Sequence, residues 1–230
     1  MRLILTAHGS ADPRAAETTR AVAQQIRVLR PGLEIDVAFC EKSTPNLRDV
    51  LADRRGPAVV TPLLLASAYH ARVDIPAMIA ESDADAVQAE VLGEDPRLVE
   101  VLRQRVVEAG TSPQETGVLI VAVGSSHEEA NTRTATLAES LPGDWAAVHV
   151  AFATGPQPGV AEGIAGLRAV GVGQIVVAPW FIAPGRITDR VATTATAEDA
   201  VMAEPLGGHP LLAATVLDRF DTAIAGRLVA

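Results

Sequence analysis

The chain repeats itself once, and any fold it adopts must accommodate two similar halves. Ala7-His8-Gly9-Ser10 lines up with Ala122-Val123-Gly124-Ser125, and Ala38-Phe39 with Ala151-Phe152. Pro45 lines up with Pro158, Pro62 with Pro179, and Leu92-Gly93 with Leu206-Gly207, at separations between 113 and 117 residues. A separation this steady, close to half of a 230-residue chain, marks duplication of a whole structural unit. It predicts one domain over residues 1–112 and a second over 117–230, joined by the polar stretch Gly110–Gly117.

Within each half, β-rich runs alternate with helical patterns. Leu3–Ala7, Ile35–Cys40, Val59–Ala66 and Val87–Leu92 read as strands, with helical stretches such as Arg14–Leu29 and Pro96–Ala109 between them. Val118–Val123, Ala147–Phe152, Ile175–Ile182 and Val201–Leu206 repeat the pattern. Several of these runs are continuously apolar, as expected when helices cover both faces of a parallel sheet. Punctuation agrees: Pro31-Gly32 ends the first helix, Ser43-Thr44-Pro45 opens the second, and Asp95-Pro96 opens the fourth. The expected fold class is α/β, with two duplicated domains, each a small parallel sheet flanked by helices, and a cleft between them.

Composition excludes some partners. A net charge of −9 argues against a broad nucleic-acid surface, which needs many cations facing phosphates. No apolar run approaches the eighteen or so residues of a membrane span, so neither nucleic acid nor membrane is an expected partner. The single cysteine, Cys40, rules out an intrachain disulfide, and the first residues run into Leu3-Ile4-Leu5 without a leader, so a cytoplasmic location is expected. Cys40 closes the run Val37-Ala38-Phe39-Cys40 and reads as a small buried hydrophobe.

In an open parallel sheet, ligands bind beyond the carboxyl ends of the strands. His8 follows the first strand, Glu41 the second, and His70 lies a few residues past the third. Two imidazoles and a carboxylate at one sheet edge form a donor set suited to Fe²⁺, Co²⁺, Ni²⁺ or Zn²⁺, with positions left open for exchange. Taken singly, each reads as an ordinary loop residue. The matching second-half positions hold Val123, Thr154 and Ile187, none of them an ordinary metal ligand. Backbone features kept in both halves, with all three donors in only one, are explained most simply if the donors act as a unit. The remaining histidines read differently: His127 and His209 stand at helix starts as caps, and His149 alternates with Val148 and Val150 in a strand. A phosphohydrolase built on His8 would want an arginine beside it, but Gly9 and Ser10 follow, and no phosphate-binding glycine signature is present.

These residues resemble the class II tetrapyrrole chelatases, in particular the two-domain sirohydrochlorin chelatases of sirohaem and cobalamin synthesis. The likeness rests on Leu5-Thr6-Ala7-His8-Gly9-Ser10, on Ala38-Phe39-Cys40-Glu41 with Pro45, and on Pro62-Leu63-Leu64-Leu65 leading through His70 to Asp74-Ile75-Pro76. Gly124-Ser125 with Ala130-Asn131, and Pro179 through Phe181 to Gly185-Arg186 and Asp189-Arg190, extend it over nearly the whole chain.

The resemblance implies ATP-independent insertion of a divalent metal, Fe²⁺ favoured and Co²⁺ admitted, into sirohydrochlorin, with no organic cofactor. It assigns His8, His70 and Glu41 to metal binding and to uptake of pyrrole protons, and makes the second half the other wall of the cleft. Cys40, at a position often hydrophobic in the family, is a departure that would admit an extra soft ligand beside Glu41. The substrate carries many carboxylates, so a local positive lining must outweigh the negative protein. Arg14, Lys42, Arg72 and Arg186 lie near strand ends; Ser10 and Arg72 are the expected substrate contacts. Two fused halves remove the need for a homodimer, so a monomer is compatible with the sequence. A metal or tetrapyrrole carrier of the same fold is the alternative function.

Overall fold

The computed structural model describes all residues except Arg54, Ala68, Thr111 and Ala230, and the side chains of Leu228 and Val229. Thr111, within the expected linker, therefore lies outside the described residues.

Two four-stranded, all-parallel sheets account for the eight strand runs read from the sequence. The first is formed by β1 (Arg2–Ala7), β2 (Ile35–Phe39), β3 (Ala58–Pro62) and β4 (Ala86–Gln88), in the order β2-β1-β3-β4. The second is formed by β5 (Thr116–Ala122), β6 (Ala147–Phe152), β7 (Gln174–Pro179) and β8 (Val201–Met202), in the order β6-β5-β7-β8. The central strands β1 and β5 are buried almost throughout, which is why they read as unbroken apolar runs.

The helices are α1 (Pro13–Leu29), α2 (Leu47–Ala52), α3 (Ile75–Glu81), α4 (Pro96–Glu108), α5 (Glu128–Ala135), α6 (Leu137–Ser140), α7 (Val160–Ala169), α8 (Arg186–Ala197) and α9 (Pro210–Val229). In α1, Ala16, Thr19, Val22, Ala23 and Ile26 are buried, an i, i+3, i+6, i+7, i+10 stripe that turns one face inward. Asp12 caps it by accepting from the Arg14 amide, with Pro13 in the first turn; such a cap contributes about 1 kcal/mol. Asp95 caps α4 in the same way through the Arg97 amide. On one face of the first sheet, Ile4, Ala38, Val60, Leu47, Leu51 and Ile75 form the centre of a core cluster that includes Cys40. Each fully buried branched side chain there stabilises the fold by about 1.5–3 kcal/mol.

The duplication is visible bond by bond. The Phe39 amide donates to the Pro45 carbonyl and the Phe152 amide to the Pro158 carbonyl, at 3.0 and 2.9 Å. The Leu92 amide reaches the Leu64 carbonyl just as the Leu206 amide reaches that of Phe181, both at 2.9 Å. These bonds also explain why β3, β4, β7 and β8 are shorter than the apolar runs that announced them. Apolar character continues for as long as a segment is buried, whereas the regular ladder stops near Pro62 and Pro179 and gives way to single bonds.

Two local readings change. Helix α2 opens not at Ser43-Thr44-Pro45 but at Asn46, whose side-chain oxygen accepts from the Arg48 amide at 2.9 Å. Pro45 instead lends its carbonyl to β2, and Ser43 Oγ is held by Ser10. The compact units also differ from the divisions 1–112 and 117–230 of the repeat. One comprises Met1–Gly93 with Gly208–Ala230, the other Glu94–Gly207. Helix α9 thus packs on α1 and β3 of the first unit, and α4 on β7 and α6 of the second. Each repeat gives its last helix to the other's sheet. Among the described residues no helix is long and apolar enough to cross a membrane.

Candidate metal-handling site

The strand order places the site. The chain moves from β1 to β2 on one side and then returns to β3 on the other, so the connections after β1 and β3 leave in opposite directions. A crevice opens at such a switch point beyond the carboxyl ends of the strands. His8 follows β1, Glu41 lies two residues past β2, and His70 follows β3, so three adjacent strands deliver the three side chains to one edge.

The backbone is extended past the sheet to hold them. The Cys40 amide donates to the Ala7 carbonyl and the Glu41 amide to the His8 carbonyl, both at 3.0 Å, so the β1–β2 ladder continues to the site residues themselves. Gly9 turns the chain at φ +92°, and a Cβ there would lie 1.7 Å from the Glu41 carbonyl oxygen. The close approach therefore requires glycine. In the second sheet the Thr154 amide donates to the Val123 carbonyl at 2.9 Å, and Gly124 repeats the turn at φ +91°. Val123 and Thr154 thus occupy the places of His8 and Glu41, and Ile187 stands in the first turn of α8, as the alignment of the halves requires.

His70 begins a single π-helical turn, His70–Asp74, that runs directly into α3. Ala71, Ile75 and Met78 are buried, and the Gln88 amide nitrogen donates to the Ala71 carbonyl at 2.8 Å, tying the turn to β4. With that face anchored, His70 and Asp74 stand together on the partly exposed side. Such π turns recur at functional sites.

The side chains meet. The His8 and His70 rings lie edge to face with centroids 4.0 Å apart. His8 Nε2 is 3.5 Å from Glu41 Oε1, which also receives Lys42 Nζ at 2.7 Å. His8 Nδ1 is 2.8 Å from the Gly9 carbonyl, and His70 Nδ1 is 2.5 Å from Asp74 Oδ2. Carbonyl and carboxylate oxygens only accept, so both Nδ1 atoms carry the hydrogen and donate. In the neutral form of each ring the lone pair then lies on Nε2, the state in which imidazole ligates a metal or takes a proton. The hydrogen bond from Lys42, aided by the positive charge of that ammonium, holds the Glu41 carboxyl below the usual carboxylate range against its desolvation. Glu41 is accordingly an anion at neutral pH.

With the two rings in contact, no group of three His, Cys, Asp or Glu among the described residues is spaced to hold a metal ion. The two imidazole side chains are 42% and 29% exposed, so rotamer changes are open to both.

The other sequence-based expectations resolve individually. Cys40 is buried in the core cluster, and burial, with Asp74 and Glu41 nearby, pushes its thiol up to about 11. That makes it an inert thiol rather than a thiolate donor. Ser10 is half-buried with its amide committed to Ser43 Oγ at 3.0 Å, and its own hydroxyl oxygen accepts from the Asp12 amide. What it retains for a substrate is the hydroxyl hydrogen. Arg72 is exposed near His70 in the chain, and its Nε donates to Ser67 Oγ at 3.2 Å. Arg14 is paired with Asp12 and Lys42 with Glu41, while Arg186 lies exposed at the start of α8. His209 Nδ1 accepts from the Leu211 amide, capping α9, whereas His127 holds the N-cap position of α5 without a side-chain bond. Asp74 went unassigned in the sequence; its signal was the i, i+4 spacing from His70 ahead of a helix.

Comparison with known proteins adds to this geometry. The chain is 22% identical over 248 residues to a sirohydrochlorin cobaltochelatase of Priestia megaterium, spanning 98% of this chain and 81% of that protein. It is 24% identical over 245 residues to a sirohydrochlorin ferrochelatase of the same organism, spanning 98% and 91%. The fold superposes on SirB from Bacillus subtilis with Fe³⁺ at a TM-score of 0.84 and 19% identity, covering 99% of this chain and 98% of that one. The CbiX family model matches residues 2–109 and again 117–223, once for each repeat, and the chain therefore belongs to the CbiX family.

Proposed function

We propose that this protein is a sirohydrochlorin chelatase, inserting a divalent metal, Fe²⁺ in preference to Co²⁺, into sirohydrochlorin without ATP. The observation that carries the reading is the convergence of His8, His70 and Glu41 at the switch point of the first sheet, with Nδ1 of each imidazole held by an acceptor oxygen. The relatives' names supply the substrate: both are sirohydrochlorin chelatases, one for cobalt and one for iron.

Insertion exchanges two pyrrole N–H protons for one M²⁺, so the site must present the ion and accept protons. His8 and His70 hold the metal through Nε2, and Glu41 completes the donor set by leaving Lys42. As the ion passes to the ring nitrogens, the vacated imidazoles take up the protons. Few, exposed donors keep the ion exchangeable, whereas a closed four-donor site would retain it. Lys42, freed from Glu41, and Arg72 supply positive charge for the substrate carboxylates, with the Ser10 hydroxyl as a further donor. The donors occur once in the duplicated chain, so we assign the metal site to the first half. We further propose that the protein acts as a monomer in the cytoplasm, with neither nucleic acid nor membrane as partner.

The test is anaerobic absorbance spectroscopy of the protein with sirohydrochlorin and excess Fe²⁺ or Co²⁺, comparing wild type with His8→Ala, His70→Ala and Glu41→Ala. Multiple turnovers by wild type that collapse in both histidine variants are expected, with Fe²⁺ the faster metal. Conversion that stops at one equivalent would identify a carrier, and an unchanged rate in Glu41→Ala would remove that residue's role.

A further inference from the structure

The two histidines are held differently. His8 Nδ1 donates to a neutral carbonyl one residue along its own backbone, at 2.8 Å. His70 Nδ1 donates across a helical turn to a carboxylate, Asp74 Oδ2, at 2.5 Å. Asp74 also stands at the N-cap position of α3, where an aspartate ordinarily accepts from a first-turn amide, yet its side chain makes no capping bond. The residue two places on is Pro76, which has no amide hydrogen to give, and the π turn leads straight into the helix. The carboxylate is thus given to His70 rather than to the helix.

We propose that Asp74 is the positioning residue for metal capture, fixing the His70 ring in the tautomer and orientation that present the Nε2 lone pair to the ion. This rests on the chelatase reading of the site. An unrestrained neutral imidazole divides between two tautomers, and in one of them Nε2 carries hydrogen and cannot ligate. A carboxylate on Nδ1 selects the other, limits ring rotation and makes Nε2 a better donor, and removing such a partner costs about 10–100-fold in metal affinity. The need is greatest at His70. Its ring lies edge to face with that of the half-exposed His8, centroids 4.0 Å apart, and the ring of the exposed Tyr69 is 6.2 Å away.

Two measurements that need no turnover test this. Long-range proton–nitrogen NMR of protein labelled at histidine nitrogen, recorded well above the imidazole pKa, reads the tautomer directly. Wild type is expected to show His70 hydrogenated at Nδ1, and Asp74→Ala to show a mixture or the Nε2–H form. Co²⁺ titration followed by visible absorption is expected to weaken by about 10–100-fold in Asp74→Ala, with His8→Ala and His70→Ala weakened at least as much. A wild-type His70 hydrogenated at Nε2 would overturn the proposal even if the variant failed to fold, as would wild-type Co²⁺ affinity in a folded Asp74→Ala. Failure of the chelatase reading is distinct: wild type would bind Co²⁺ yet leave sirohydrochlorin unmetallated.

Discussion

Substituting alanine at Gly9 and at Gly124 separates the cost of the shared turn from the function of one copy of it. Each glycine has φ near +90°, and at each an added Cβ would lie 1.7 Å from a backbone oxygen, that of Glu41 or of Gly155. A backbone oxygen cannot rotate away as a side chain can. To bring 1.7 Å to the 3.0 Å below which Cβ contacts essentially never fall, the opposing strand end must withdraw by at least about 1.3 Å. Positive φ adds about 1–2 kcal/mol for alanine, and the forced displacement adds more, for an expected total of about 2–4 kcal/mol in either variant. That corresponds to a fall of order 10 °C in the unfolding of the unit carrying the change. The functional consequences diverge. In Gly9→Ala the displaced segment carries Glu41, whose amide is bonded to the His8 carbonyl, so the donors move apart by about an ångström. Misplacement on that scale costs about 100-fold in rate. In Gly124→Ala the displaced segment carries Gly155 and Thr154, which are not among the proposed donors. The assay is metal-dependent chelatase kinetics, with thermal unfolding followed in parallel. The KM for metal should rise steeply in Gly9→Ala and stay within about twofold of wild type in Gly124→Ala. Equal changes in metal KM in the two variants, at similar loss of stability, would refute the assignment of the site to the first half.

Two further outcomes follow from the same geometry. Cys40, with its thiol raised to about 11 from an ordinary 9.0, should react slowly with a thiol reagent near neutral pH and rapidly once the protein is unfolded. Because its folded pKa is the higher, its contribution to stability is intact below about pH 9 and is lost as pH rises toward 11, which alkaline unfolding of wild type and Cys40→Ala would reveal. Asp36 pairs at 2.5 Å with Arg2, a guanidinium only 2% exposed, so Asp36→Ala should destabilise by about 3–5 kcal/mol by stranding a buried charge. Its place near the start of β2, at the opposite end from the site, predicts an unchanged metal KM; a shifted one would show that the strand ends are not insulated from the sheet entry.

The parts of the fold that were legible in the sequence are those governed by local repetition. Nearly continuous apolar runs located the central strands, because burial on both faces requires them, and Asp12-Pro13 and Asp95-Pro96 marked helix starts through the unpaired first-turn amides they satisfy. The candidate site was legible for a related reason. In parallel sheets function gathers at strand ends, so His8, Glu41 and His70 were marked by where they follow strands, and by Val123, Thr154 and Ile187 in the repeat. Asp74 escaped because its partner is chosen by a π turn, which leaves no apolar periodicity of its own. Asn46 displaced Ser43 as the cap of α2 because Ser43 was drawn to Ser10, thirty-three residues away in sequence.

The amino-acid sequence alone determined the duplication, the α/β class and the confinement of three potential metal donors to one copy, since each is written in residue identity and spacing. Tertiary structure alone decided that α9 joins the first sheet and α4 the second, and that His70 is tied to Asp74 while Glu41 is tied to Lys42. The reason is the same in each case. An apolar helical stripe records that a face will be buried but not against which of two similar sheets, and a polar side chain records that it needs a partner but not which of its neighbours the finished backbone will bring within 3 Å.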